Sequence, residues 1–189
     1  MPTMRDKQAP AQRLLDTAST LFASEGIRAV GIDRILAEAK VARASLYQNY
    51  GSKDALVVAY LRRQHEQDRA GYERAAASIT DPRERILLVF DLAARNARRR
   101  RFRGCLYLNA ATEFPDPNHA VNAAVRDHRD WLDVIWTTAL GQLDLGEPVP
   151  VAARLTVLYD GGLAGSKVSR DTEPILRART MAAELLPKE

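Results

Sequence analysis

Apolar residues in the first quarter of the chain recur at helical spacing, in three short groups separated by tight bends. The first group predicts an amphipathic helix and consists of Leu14, Leu15, Ala18, Leu21 and Phe22. Gly26 is expected to end this helix, because glycine adopts the left-handed conformation of a helix C-terminus at the lowest cost. The second group predicts a shorter helix and consists of Ile32, Ile35, Leu36 and Ala39. Leu46 and Tyr50, four residues apart, anchor a third helix, and Val41 fills the bend before it.

The rest of the chain continues in helical pattern, with Ser52 as the expected N-cap of a long helix. The predicted helices cover residues 52–78, 82–98, 105–114, 120–143, 151–168 and 172–186. No segment shows the sustained alternation of a half-buried strand. The fold is therefore predicted to be all-α, with about nine helices.

The second and third short helices form a predicted helix-turn-helix. The third helix carries small and polar residues off its buried side, namely Arg43, Ala44, Ser45, Gln48 and Asn49. A helix of this kind, presented across a tight turn, suits insertion into the major groove of DNA.

At these residues the chain resembles the TetR (tetracycline-repressor-like) family of bacterial transcription regulators. The resemblance is carried by Leu21-Phe22, Glu25-Gly26, Ile32-Asp33-Arg34-Ile35, Ser45-Leu46-Tyr47 with Tyr50, and Gly51-Ser52-Lys53-Asp54-Ala55-Leu56. Together these segments cover about the first third of the chain and are more specific than an isolated helix-turn-helix pattern. The resemblance implies a DNA-binding domain over residues 1–52 and a helical effector-binding and dimerisation domain over residues 53–189.

Three residues depart from the family pattern. Gly31 replaces the usual Ser or Thr N-cap of the second helix, at a cost of only about a few tenths of a kcal/mol. Lys40 replaces the usual glycine of the turn, where a left-handed conformation would cost ~1 kcal/mol. Ala42 replaces the usual Ser cap of the third helix, which costs ~1 kcal/mol and leaves one backbone donor to water or phosphate.

The resemblance also implies that Tyr47 and Lys53 bind DNA phosphates, and a phenol hydroxyl and an ammonium at a helix N-terminus suit that role. Without it, Tyr47 would be read as a core aromatic residue and Lys53 as a solvated charge. Arg43 and Gln48 are the predicted base-reading residues, because Arg can bind guanine and Gln adenine with two hydrogen bonds each.

The remaining candidates for DNA contact are less specific. Asn49 and Ser45 are predicted to contact bases or only phosphates, and Ala44 to permit close approach or touch a thymine methyl group. Arg28 and Arg34 flank the second helix, where phosphate contact competes with a plain surface role. A solvated helix face is the alternative for each of these residues. A further arginine cluster could add backbone attraction or simply be solvated, and it consists of Arg95, Arg98, Arg99, Arg100, Arg101 and Arg103.

Composition narrows the class of protein. The net charge of +4 is too small and too evenly spread to prove nucleic-acid binding, so the prediction rests on residue placement. No apolar run approaches the ~20 residues of a membrane span, and the opening residues lack the apolar core of a secretory signal. The single cysteine, Cys105, excludes an intrachain disulfide and cysteine-based zinc sites, which is consistent with a reducing cytoplasm.

Catalytic and metal motifs are lacking in the sequence. His65, His119 and His128 are far apart and have no metal-binding spacing, and Asp127 beside His128 points elsewhere on a helix. Cys105 has no identifiable base, so a buried or pocket-lining thiol is the simpler interpretation. We therefore expect no enzyme activity, no metal and no cofactor.

A small organic effector is the predicted ligand of the later helices. Aromatic and polar residues on their presumed inward faces are candidate pocket residues: Tyr60, Gln64, His65, Phe90, Tyr107, Asn109, Glu113, Trp131, Ile135 and Tyr159. Several of them are expected to be plain core.

The last two helices are predicted, from the family pattern, to pair with those of a second subunit. The segment Leu158–Ser166 is rich in small residues that let helices approach closely, although its glycines could instead lie in a bend between shorter helices. The sequence thus predicts a homodimeric, ligand-responsive regulator, most simply a repressor, on a near-palindromic DNA operator. The alternative is a helical enzyme or binding protein for small molecules with a degenerate DNA-binding head. The effector, the operator and the sign of regulation cannot be read from the sequence.

Overall fold

A computed structural model describes residues 9–98 and 102–187 of the chain. Every regular element in these residues is an α-helix, which confirms the predicted all-α class. The helices there are α1 (Pro10–Glu25), α2 (Ile32–Ala39), α3 (Arg43–Tyr50), α4 (Lys53–Ala76), α5 (Pro82–Ala97), α6 (Leu106–Glu113), α7 (Ala120–Leu140), α8 (Pro148–Ser169) and α9 (Glu173–Glu184). None of the helices in this described part is long and apolar enough to cross a membrane.

Local capping signals explain where the helices begin and end. Gly26 ends α1 with a φ of 99°, and the Ser52 hydroxyl accepts the Ala55 amide at 3.0 Å at the head of α4. Asp81 caps α5 by accepting the Arg83 amide at 2.8 Å. The start of α8 differs from the prediction: the helix begins at Pro148 and not near residue 151, since proline is favoured in the first turn.

The chain divides into two compact units. The first comprises Met1–His65 and Leu106–Val125, and the second comprises Glu66–Cys105 and Arg126–Glu189. Both α4 and α7 therefore contribute residues to each unit, whereas the sequence placed the boundary before Lys53. The functional division at that residue remains a proposal, because compact packing does not identify function.

The first unit packs α1 to α3 on the first half of α4. Phe22 and Tyr60 meet edge to face with ring centroids 5.6 Å apart, and both are buried. Arg63 of α4 binds the Asp16 carboxylate at 2.5 Å and the Leu15 carbonyl at 3.2 Å. These contacts fix α1 against α4 and so position the two short helices that follow α1.

The second unit has a core of aromatic and aliphatic residues from α5, α7, α8 and α9. Phe90 and Trp136 are fully buried, with ring centroids 6.3 Å apart, and Leu155 and Ile175 pack into the same cluster. Burial of such side chains supplies the main stabilisation of a helical unit, at about 25 cal/mol per Å² of apolar surface.

Two glycines of α8 permit its close contact with α9. A Cβ at Gly165 would lie 2.7 Å from the Pro174 Cβ, and one at Gly162 would lie 3.0 Å from the Ala178 Cβ. Because α8 runs without interruption through both residues, the alternative that these glycines lie in a bend is wrong. The small residues at these two positions serve packing within the chain, whereas a Cβ at Gly161 would meet nothing within 4 Å.

Candidate nucleic-acid interface

The turn between α2 and α3 has the tight geometry of a helix-turn-helix. Lys40, at the position where the family usually has glycine, lies in the left-handed region, with φ 52° and ψ 50°. The Val41 amide donates to the Leu36 carbonyl at 3.1 Å, which closes the turn, and the buried Val41 side chain fills the bend. The turn therefore forms without glycine, at a strain cost of ~1 kcal/mol.

Helix α3 is anchored on one side and open on the other. Leu46 is fully buried, and the Tyr50 hydroxyl donates to the Ala11 carbonyl of α1 at 2.8 Å. The exposed residues of the helix are Arg43, Ala44, Tyr47, Gln48 and Asn49. Ala42 provides no side-chain cap, as expected, so the amides of the first turn face outward without a side-chain partner from that residue. The open face has the small and polar character that the sequence predicted.

Ion pairs within the first unit already engage two of the candidate arginines. Arg43 pairs with Asp33 of α2. Arg34 binds Glu25 at 2.8 Å and Glu38 at 2.9 Å, and these hydrogen bonds raise the pKa of its guanidinium further above its ordinary value. The Asn49 side chain donates to the Ser45 carbonyl at 2.7 Å, so it is turned toward its own helix. Gln48 and Tyr47 are exposed, and Tyr47 keeps 48% of its surface accessible.

Lys53 lies in the first turn of α4 and is half-buried. Its ammonium donates to the Ile27 carbonyl at 2.7 Å and lies 6.0 Å from the centre of the Phe22 ring. Burial lowers the pKa of Lys53 from its ordinary value, against the opposing effect of Asp54 and Glu113. The predicted phosphate ligand is thus an internal hydrogen-bond donor in the DNA-free chain.

The loop between α1 and α2 is also held from α6. One carboxylate oxygen of Glu113 accepts the Ile27 amide at 3.2 Å, and the other accepts the Arg28 amide at 2.6 Å. The Arg28 guanidinium lies 5.5 Å from the centre of the Phe114 ring. Glu113 was predicted as an effector-pocket residue, and in the structure without ligand its carboxylate binds this loop.

A surface groove of about 560 Å³ lies where the α1–α2 loop, the head of α4 and the α6–α7 connection meet. Its lining residues are Arg28, Lys53, Asp54, Phe114, Pro115, Asp116 and His119. The His119 Nδ1 accepts the Val121 amide at 3.2 Å, so the proton of the neutral ring is on Nε2, which lies 3.2 Å from an Asp54 oxygen. Sequence reasoning missed Asp54, Phe114 and His119 as neighbours, because no local pattern links residues so far apart in the chain.

The candidate effector residues of the first unit differ in burial. Tyr60 and Tyr107 are buried, with 4% and 3% of their surface accessible, whereas Gln64, His65 and Asn109 are half-buried. Tyr60 packs on Phe22 in the core described above. With Glu113, the first unit holds six of the candidates, and two of these six, Tyr60 and Tyr107, are core residues, as the sequence allowed.

The candidate effector residues of the second unit form two aromatic groups. Phe90 and Tyr159 meet edge to face at 5.7 Å, and Trp136 lies 5.8 Å from Tyr159. Trp131 packs edge to face on Tyr72 at 6.0 Å and lies 5.4 Å from the His128 ring. Burial raises the pKa of the Tyr159 phenol. Ile135 lies one turn after Trp131 and is half-buried.

Some predictions concern residues that the structure does not describe. Arg99, Arg100 and Arg101 of the arginine cluster lie outside the described residues, as do the opening residues that were judged not to be a secretory signal. Arg95, Arg98 and Arg103 are exposed. Among residues 9–98 and 102–187, no group of three or more His, Cys, Asp or Glu side chains could hold a metal ion.

The first helices of the chain match a known protein family. Residues 14–60 match the family described as bacterial regulatory proteins, tetR family. An uncharacterized HTH-type transcriptional regulator of Mycobacterium tuberculosis is 33% identical over 96 residues, which is 50% of this chain and 46% of that protein. The chain thus spans about half the length of the first curated relatives that it matches. The HTH-type transcriptional repressor NemR of Escherichia coli is 26% identical over 180 residues, 88% of each protein.

Similarity to a solved structure extends through nearly the whole chain. SCO4454, a TetR-family transcriptional regulator from Streptomyces coelicolor, has 36% identical residues and a TM-score of 0.87, over 96% of this chain and 98% of that one. This similarity includes the later helices, which the family match over residues 14–60 does not cover. On this evidence the chain belongs to the TetR family of bacterial transcription regulators.

Proposed function

We propose that the protein is a homodimeric, ligand-responsive repressor that binds a near-palindromic DNA operator through α3 and leaves it when a small organic molecule binds. DNA-binding transcription regulation follows from the family, whereas the dimer, the effector and the negative sign of regulation are parts of the proposal. A regulator of this kind acts in the cytoplasm, where bacterial DNA lies, and needs no catalytic residues or cofactor.

The open face of α3 is the observation that carries the proposal. Leu46 anchors the helix, while Arg43, Ala44 and Gln48 face outward next to a tight turn. Arg43 and Gln48 are the proposed base-reading residues, and Ala44 allows the backbone to come close to the base edges. Ser45 is half-buried and Asn49 is bonded to its own helix, so we assign them contacts at the edge of the interface.

Phosphate binding is proposed for Tyr47, Lys53, Arg28 and Arg34. Tyr47 is exposed on α3, and Lys53 lies in the first turn of α4, where free amides also favour anions. Arg34 is already paired with two carboxylates, so it is the weakest of the four candidates for phosphate binding. These contacts would fix the register of the protein on DNA without reading sequence.

Dimerisation is supported by an exposed apolar stripe on α8. The stripe residues recur every three or four positions and are Val149, Ala153, Val157, Gly161, Ala164 and Val168. Three of them are valines with 70%, 71% and 84% of their surface accessible, and Met181 of α9 is 48% accessible. An exposed stripe of this length on a helix is typical of a surface that packs on a partner, and a second copy of the chain is the partner implied by the family.

The effector is proposed to be an apolar or amphipathic organic molecule with aromatic character. Within the second unit, the aromatic groups around Trp131 and Tyr159 offer the required surfaces. The negative sign of regulation is supported by the likeness to NemR, a repressor.

Selection of duplexes from a random-sequence library with the purified protein tests this function. We expect recovery of a near-palindrome, affinity that falls steeply with salt, and a complex containing two protein chains. A footprint over DNA upstream of its own and neighbouring genes, followed by transcription from the bound promoter, determines the sign of regulation. Recovery of no sequence, with weak binding that is independent of salt, would instead favour the helical enzyme or small-molecule-binding protein.

A further inference from the structure

We propose that Glu113 is a positioning residue for DNA binding: its carboxylate sets the position of the α1–α2 loop and, through it, of Arg28 and the helices that follow. The inference rests on DNA binding by α3 but not on the identity of the effector or on the sign of regulation. It gives the end of α6 a direct connection to the DNA-binding helices.

Two hydrogen bonds from one carboxylate define this connection. Glu113 accepts the main-chain amides of Ile27 and Arg28, at 3.2 Å and 2.6 Å, across 86 and 85 residues of chain. An ionised carboxylate binds amide protons about twice as strongly as a neutral acceptor does. Because both bonds go to the main chain, they constrain the path of the loop and not merely the rotamer of a side chain.

The same peptide segment is held from the opposite side by α4. Lys53 donates to the Ile27 carbonyl at 2.7 Å, so Ile27 is bound through its amide by Glu113 and through its carbonyl by Lys53. The Ile27 side chain is itself buried. The loop leads into α2 within five residues, and the buried Val30 at its end leaves the segment little freedom.

Further contacts join the same elements. Arg28 lies over the ring of Phe114, the residue after Glu113. His119, before the start of α7, contacts Asp54 of α4 at 3.2 Å and packs on Phe114 with ring centroids 4.8 Å apart. The end of α6 is therefore joined to the loop and to the head of α4 by separate contacts. A displacement of α6 would be transmitted to Arg28 and Lys53 together.

The sign of the effect on DNA binding separates positioning from simple electrostatics. Glu113 is a negative charge close to Arg28 and Lys53, two proposed phosphate ligands. If Glu113 acted only through its charge, its removal would reduce repulsion of DNA and strengthen binding. If it positions the loop, its removal weakens binding to the operator in spite of the lost charge.

Glu113→Ala and Glu113→Gln test the proposal on the full-length protein. The DNA probes are a duplex recovered by the wild-type protein from a random-sequence library and a scrambled duplex of the same length. We expect Glu113→Ala to lower affinity for the recovered duplex about tenfold, with a smaller loss of affinity for the scrambled duplex. Glu113→Gln keeps one acceptor oxygen and should give an intermediate loss. Because the loop carries Arg28, a proposed phosphate ligand, Glu113→Ala should also lower the salt dependence, by up to one phosphate contact.

Asp116→Asn is the matched charge control. Asp116 lines the same groove and accepts the Asn118 amide at 2.9 Å, a bond that the asparagine oxygen retains. This variant should leave affinity for the recovered duplex unchanged or slightly raised. Hydrogen exchange at the Ile27 and Arg28 amides provides a direct local measurement, since both should exchange faster in the Glu113 variants and not in Asp116→Asn.

The experiment distinguishes failure of the Glu113 proposal from failure of the proposed DNA-binding function. If the wild-type protein recovers no duplex, DNA binding itself is refuted. If it does, but the Glu113 variants bind the recovered duplex as tightly as Asp116→Asn does, Glu113 is not a positioning residue. Equal losses on both duplexes, accompanied by a lowered melting temperature and unchanged exchange at Ile27 and Arg28, would also overturn the proposal in favour of a role in overall stability.

Discussion

The Arg43 guanidinium at the start of α3 is ion-paired with the Asp33 carboxylate of α2. The two side chains keep 53% and 85% of their surface accessible, so the pair is worth only about 0.2–1 kcal/mol. A guanine edge offers Arg43 two hydrogen bonds in place of this one partner. The pair therefore orients Arg43 in the DNA-free protein without preventing its use in base reading.

Removal of Arg43 should weaken DNA binding, whereas removal of Asp33 should strengthen it. Arg43→Ala is expected to cost about 1–3 kcal/mol and to relax the preference at one base position. Asp33→Ala removes a negative charge beside Arg43, the proposed base-reading residue, and should strengthen binding to all duplexes at low salt. Affinities of both variants, measured over a panel of single-base variants of the operator, test these two expectations. A uniform loss across that panel for Arg43→Ala would identify a phosphate contact.

Loss of a phosphate ligand should weaken binding almost equally for all sequences. Lys53→Ala is expected to reduce the slope of log affinity against log salt by about one. Tyr47→Phe removes a neutral donor and should weaken binding without changing that slope. Titrations at several salt concentrations measure both quantities. An unchanged slope for Lys53→Ala would mean that Lys53 serves the loop through Ile27 and does not reach DNA.

A charge placed in the α8 stripe should dissociate the proposed dimer. In Val157→Asp, each subunit of a two-fold interface would bury an unpaired carboxylate, so the dimer dissociation constant should rise by at least about hundredfold. Val134→Asp is the matched control, because Val134 is a similarly exposed valine, at 60%, on α7. Sedimentation equilibrium measures both. Equal association of the two variants would place the dimer contact elsewhere.

Methyl groups added at two helical glycines should have opposite effects on stability. Gly165→Ala brings a Cβ to 2.7 Å from Pro174 and should destabilise the packing of α8 on α9 by about 1–3 kcal/mol. Gly71→Ala in α4 meets nothing within 4 Å and should stabilise the fold by about 0.5–1 kcal/mol through helix propensity. Denaturant unfolding gives the two free energies. Stabilisation by Gly165→Ala would show that α9 moves aside at little cost.

A smaller side chain at Trp131 should alter the effector response and leave DNA binding of the ligand-free protein nearly intact. Trp131 contacts Tyr72 and His128 and is remote in sequence from the helix-turn-helix. A coupling of ~1–3 kcal/mol between the sites would be typical, and operator DNA must then weaken effector binding by the same factor. Calorimetry with free and operator-bound protein measures this coupling for Trp131→Ala and for the exposed control Val134→Ala. Equal affinity of the effector for both forms of the wild-type protein would refute the mechanism.

Local signals in the sequence were sufficient to predict the helices of the helix-turn-helix. Leu46 and Tyr50 are four residues apart, so their shared face could be read directly, and Gly26 and Ser52 mark helix ends by their own conformational preferences. For Lys40 the sequence indicated only what a left-handed conformation would cost, and the structure shows that Lys40 adopts it.

Long-range contacts to the main chain could not be predicted in the same way. Glu113 binds the amides of Ile27 and Arg28. Every non-proline residue carries such an amide, so no particular residue type in the sequence marks the partner of Glu113. Similarly, the small residues of α8 were assigned to contact with a second subunit, whereas Gly162 and Gly165 contact α9 of the same chain. Pro174 and Ala178 supply that contact from within the chain.

Because Lys40 adopts the left-handed conformation, this turn does not require glycine at position 40. Lys40→Gly would relieve about 1 kcal/mol of backbone strain, but glycine also increases the freedom of the unfolded chain, which costs roughly 0.5–1 kcal/mol. The two effects largely offset each other, so exchange between these residues is nearly neutral. The bend is held by the buried side chains of Leu36 and Val41 and by the hydrogen bond from the Val41 amide to the Leu36 carbonyl, and it forms without glycine at position 40. A search that requires glycine at this position would therefore overlook turns of the same geometry.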